Sequence, residues 1–164
     1  MPYVSADDLI ATLATIPDRV AETLRQAGAE SAAQAVLPAE GSDDTWNANQ
    51  VLGHLCDSAR YWGARMFRIA REDEPLLPGI DQDALMIAFA HRYRALDELL
   101  ATLRLVSGGN IALLRNLPPE AWQRAGTHEE RGRMTLRELV EVEADHELVH
   151  LRQIREALGL PSDG

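Results

Sequence analysis

The chain is short of cysteine, aromatic side chains, basic residues and long apolar runs, and each shortage removes a class of protein from consideration. Cys56 is the only cysteine, so an internal disulfide framework is excluded and stability must come from a packed core. No stretch approaches the roughly 20 apolar residues that span a bilayer, and no basic-then-apolar signal pattern opens the chain. These features lead us to expect a cytoplasmic protein with no membrane partner. Sixteen Lys and Arg stand against 26 Asp and Glu, a net charge of -10, which argues against a nucleic-acid partner and favours attraction of cations into clefts. No segment alternates polar and apolar residues as a half-buried strand would, and no internal repeat is apparent.

What is present is helical periodicity. Ser5 with Asp8 caps a first helix whose apolar positions, Leu9, Leu13, Ile16, Val20 and Leu24, keep phase through Pro17, and Gly28 should end it. The Ala-rich piece from Glu30 to Val36 is ambiguous, and Leu37 to Thr45 reads as a loop. Asn47 with Gln50 caps a second helix running to about Arg71. After a Pro/Gly loop, a third helix is expected from about Asp83, either breaking at Gly108-Gly109 or continuing to Leu117. Glu120 to Met134 reads as a structured connection. Thr135 with Glu138 opens a last helix that Gly159 and Pro161 end. The expectation is one all-α domain over residues 1–164, an antiparallel four-helix bundle.

The last helix carries His146 and His150 four residues apart, one turn along one face, a spacing that lets two imidazoles grip one metal ion. Glu143 and Glu147 fall within its apolar face, and a buried carboxylate needs a partner such as a cation. His146-Glu147-Leu148-Val149-His150 formally matches the H-E-x-x-H pattern of zinc peptidases, but Gln153 and Glu156 occupy the later positions of the extended pattern, and no strand is expected for an extended substrate. The third ligand is therefore sought upstream, at His54 on the margin of the second helix. His54, Ser58, Tyr61 and Arg65 form a polar line along that helix. Cys56 points away from it. Three histidines leave coordination positions open, as in catalytic zinc sites, and zinc, nickel, iron or manganese would all suit them. His91 and His128 are read as ordinary histidines, one mid-helix and one in a loop that could border a cleft.

Thr45-Trp46-Asn47 with Val51-Leu52-Gly53-His54-Leu55-Cys56-Asp57, then Gly126-Thr127-His128-Glu129-Glu130-Arg131-Gly132, then Asp145 to Ile154, resemble the DinB superfamily in its own order. The resemblance implies a four-helix bundle with His54, His146 and His150 around a divalent metal, and a homodimer. It also implies an enzyme class: relatives include bacillithiol and mycothiol S-transferases, a maleylpyruvate isomerase and metal-dependent hydrolases. The leading expectation is a metal-dependent transferase joining a low-molecular-weight thiol to an electrophile. In it, Tyr61 and Arg65 bind substrate and Glu147 or Glu143 handles the proton. A small-molecule hydrolase and a non-catalytic metal-binding stress-response dimer are the alternatives.

Overall fold

The computed structural model describes residues 4–34 and 46–161, with side chains described for 4–28 and 46–161. Five helices account for most of it: α1 (Ala6–Gln34), α2 (Ala48–Arg71), α3 (Gln82–Ala88), α4 (Leu96–Arg115) and α5 (Leu136–Ala157). The four long ones make the bundle. α1 and α2 each pack on both α4 and α5, so α1 lies across the bundle from α2, and α4 from α5, rather than side by side.

The caps form as their sequences dictate. Ser5 and Asp8 exchange hydrogen bonds at the start of α1, and reciprocal capping boxes close at Asn47 with Gln50 and at Thr135 with Glu138. α1 continues through Pro17, and Gly28 (φ 76°) breaks the helical path inside it. The expected Leu37 to Thr45 loop lies outside the described residues.

The core divides into two apolar clusters. One holds Leu13, Trp62, Met66, Ile111, Leu139 and Ala144, and the other holds Ile16, Leu52, Leu55, Leu103, Leu151 and Ile154. Along α5 the change of cluster falls between Ala144 and Leu151, and along α4 between Leu103 and Ile111. Buried Glu147 and Ser107 occupy those intervals, so polar groups interrupt the apolar packing midway along the bundle.

Two expectations are corrected. The long third helix is instead α3, a 3-10 turn at His91–Tyr93 and then α4, which runs unbroken through Gly108 and Gly109. The chain turns at Ala90 (φ 49°) because His91 leaves helical phase to bury fully beside Gly53, where its Nε2 donates to Asp57 Oδ2 at 2.6 Å. Strands also exist. β1 (Leu76–Leu77) pairs parallel with β2 (Ala125–His128), and β2 pairs antiparallel with β3 (Gly132–Thr135). Strands of two to four residues are too short to display alternation, and backbone bonds such as Thr127 N to Pro75 O hold them.

The glycines of α2 and α4 separate packing from propensity. A Cβ on Gly53 would lie 2.2 Å from the His91 ring, whereas one on Gly108 would meet nothing within 4 Å. Gly53→Ala should lower stability by about 1–3 kcal/mol, and Gly108→Ala should raise it by about 0.5–1 kcal/mol, both read from denaturant midpoints.

Candidate metal centre

α2 and α5 lie side by side, and that contact brings together histidines far apart in sequence. His54 Nε2 is 3.1 Å from His146 Nε2, and His150 Nε2 is 3.0 Å from the same atom. Two nitrogens each about 2.1 Å from one ion, at angles of roughly 90–109°, are about 3.0–3.4 Å apart. The three ligand atoms all lie within 4.8 Å of one another, the one such cluster of metal-ligating side chains found among the described residues.

Hydrogen bonding alone satisfies this arrangement poorly. His150 Nδ1 is 2.6 Å from Gln153 Oε1; an amide oxygen accepts, so the proton sits on Nδ1 and leaves a lone pair on Nε2. Burial holds all three rings below the usual histidine range, and together with the proximity of His150 it brings His54 to about 4 and His146 to about 3. Neutral rings carry one proton each. His146 Nε2 therefore has a single hydrogen or lone pair to offer two neighbouring nitrogens, while its Nδ1 is buried without a partner. A cation that accepts three lone pairs resolves the conflict, and the residues present fit one. Gln153 then fixes the tautomer of His150. Trp46 closes one side, its ring 5.0 Å from that of His54 and stacked at 6.5 Å on His150.

Beside the triad, Glu143 and Glu147 are each only 2% exposed and share a side-chain hydrogen bond. Burial drives both upward. Glu143 lies well above the usual carboxylate range, helped by the charge of Glu147 and opposed by Arg65, and Glu147 reaches about 7. One Oε2 on each is buried without a partner. The pair holds a proton at neutral pH where ordinary glutamates would not.

A cavity of about 160 Å³ opens beside His54 and His146. The polar line expected along α2 forms one wall: Ser58, Tyr61 and Arg65 all border it, with Tyr61 exposed at its mouth and Arg65 buried. Arg65 Nη2 donates to Pro78 O at 2.5 Å, and its guanidinium lies 5.2 Å from the centre of the Trp62 ring. α3 supplies a second wall through Gln82, Leu85 and Met86, though none of its residues is buried. The β2–β3 hairpin supplies a third through His128, Glu130 and Arg131.

The structure thus brings together His54, His146, His150, Tyr61 and Arg65, and sets Glu143 and Glu147 within the core alongside. Cys56 faces away, donating to Leu99 O, with burial raising its thiol to about 12. Reading the sequence missed Asp57, which borders the cavity while bonded to His91 and Arg60. Its signal was present, since Asp57 follows His54 by three residues on the same helical face. It missed the α3 residues altogether.

A family model described as the DinB superfamily matches residues 12–154. Among solved structures, that of YfiT from Bacillus subtilis, described as a probable metal-dependent hydrolase with an unusual four-helix bundle topology, superposes with a TM-score of 0.83 at 23% identity. The match covers 98% of this chain and 93% of that one. No curated protein matches.

The raised carboxyl of Glu147 has a stability consequence in metal-free protein. Its folded-state value of about 7 exceeds the ordinary glutamate value of 4.5, so its contribution is fully present below about pH 4.5 and is lost as pH rises through 7. Glu147→Gln, which cannot ionise, should therefore gain stability relative to the parent chain between pH 5 and 8, measured by urea unfolding in chelator.

Proposed function

The chain belongs to the DinB superfamily, and on that premise we propose that it is a divalent-metal-dependent enzyme, a low-molecular-weight-thiol S-transferase that conjugates a thiol to an electrophile. The observation carrying this reading is the convergence of three imidazole Nε2 atoms, two of whose rings, His54 and His146, line a cavity that also holds a tyrosine and a buried arginine. His54, His146 and His150 would hold the ion, zinc or nickel fitting an all-imidazole set most readily, with iron or manganese as options. Such an ion supplies positive charge that favours the deprotonated form of a nearby thiol or water at neutral pH.

The chain's own groups do the rest. Arg65 offers a buried positive charge to an anionic group of the thiol, and Tyr61, at the mouth, offers a hydroxyl. The unpartnered Glu147 Oε2 takes up the thiol proton, and Glu143 shares it through the hydrogen bond between the carboxyls. Residues of α3 and the hairpin wall the cavity beside the triad.

A hydrolase reading uses the same groups. It is favoured by Glu147, whose value near 7 suits a base acting on water, and by the description of YfiT.

Tag-free protein should bind about one zinc or nickel ion per chain and gain thermal stability, by about 2.7 kcal/mol when free metal is a hundredfold above Kd. His150→Ala should lose both metal binding and turnover. Thiol-dependent consumption of a model electrophile supports the transferase; turnover of esters, amides or lactones without thiol supports the hydrolase instead. Absence of stoichiometric metal and of any thermal response would defeat both.

A further inference from the structure

We propose that His128 is a specificity-determining residue, and that with Arg65 and Arg131 it forms an oxyanion subsite taking one carboxylate of the small-molecule substrate. The inference rests on reading this cavity as the substrate site and names the chemistry of what enters it.

His128 ends β2 and is 4% exposed, yet it borders the cavity that His54 and His146 also border. Its Nδ1 accepts the backbone N–H of Glu130 at 3.2 Å. A ring nitrogen that accepts carries no proton, so in the neutral ring Nε2 carries it. Burial and the charges of Arg65 and Arg131 keep the ring neutral by holding it below the usual histidine range. His128 is therefore a fixed neutral donor, oriented by its own hairpin turn.

Arg65 needs an anion. It is 5% exposed, its Nε is buried without a partner, its hydrogen bond from Nη2 goes to the neutral carbonyl of Pro78, and it forms no ion pair among the described residues. Of the two carboxyls whose charge bears on it, Glu143 is held well above the usual carboxylate range by burial and Glu130 is exposed, and neither forms a direct ion pair with it among the described residues. A buried guanidinium without a direct counter-charge is costly unless a ligand supplies one. Arg131, exposed on the same hairpin, borders the cavity as a second cation.

The charge balance selects the ligand. Arg65 and Arg131 are opposed by Glu130 and Glu129 of the hairpin, and Asp57 is paired with Arg60 at 2.7 Å. Two guanidiniums partly offset by hairpin carboxylates, together with a neutral N–H donor, suit a monoanionic carboxylate better than a phosphate dianion, whose second charge would be left without a partner.

The test uses full-length protein stripped of metal by chelator, so that no anion can bind through a cation. Acetate, succinate and inorganic phosphate are titrated in turn, reading the ring nitrogens of His128 and the Nε of Arg65 by ¹⁵N NMR. Carboxylates should shift both residues, with phosphate weaker. His128→Ala should weaken carboxylate binding about tenfold, the loss of one hydrogen bond to a charged group. His128→Gln, which retains an N–H donor, should recover most of it, and this rescue separates recognition from mere support of the hairpin. Carboxylates that leave His128 and Arg65 unmoved, phosphate that binds more tightly, or equal binding by folded His128→Ala protein would each overturn the subsite. Those results leave the metal-enzyme reading standing. Conversely, protein that takes carboxylate through His128 but neither metal nor substrate removes that reading alone.

Discussion

Two carboxyl groups on the inner face of α5 set the terms for the rest of the molecule. Glu143 and Glu147 stand one turn apart where an all-apolar helix would place leucine or valine, and burying both as carboxylates would cost several kcal/mol. The fold answers by dividing its apolar core in two, by letting the pair share a proton, and by setting Arg65 from α2 where its charge bears on Glu143. The interruption would weaken a purely structural bundle. It becomes intelligible beside three imidazoles whose lone pairs converge, because a cation there lowers the energy of the charged carboxyls and relieves the histidines together.

Much of this was legible in the sequence because it lies on regular helices. His146 and His150 are separated by one turn, and His54 lies on the margin of the apolar face of α2, so periodicity marked these three rings as candidates for one site. The same reasoning marked Tyr61 and Arg65 as neighbours of the site. The capping boxes at Asn47 and Thr135 gave the starts of α2 and α5 because their reciprocal hydrogen bonds depend only on residues three apart.

Where the backbone departs from a helix, local pattern lost its hold. Phe89, Tyr93, Leu96 and Leu100 keep a helical rhythm, yet Ala90 adopts a left-handed conformation there. The deciding contact is with Gly53, 38 positions back, where the absent Cβ leaves room for the His91 ring and Asp57 waits to accept its proton. No window of neighbouring residues contains that information. The hairpin that carries His128 and Arg131 is similar: its strands are pinned by pairing with Leu76 and Leu77, about fifty residues upstream, and its polar residues read as loop until that pairing is seen. Two of the three cavity walls come from these segments, so the helical frame of the site was readable and its selectivity was not.

The crossed arrangement of the bundle bears on how the site comes into being. His54 and His146 are 92 residues apart and meet only where α2 docks against α5, a non-local contact whose closure entropy must be met before it forms. Until then a cation finds only the His146 and His150 pair, a two-toothed grip available even to an isolated helix. The centre is consequently a product of completed assembly rather than a nucleus for it. Metal captured with full strength reports that the first and second halves of the chain have found each other in the correct register.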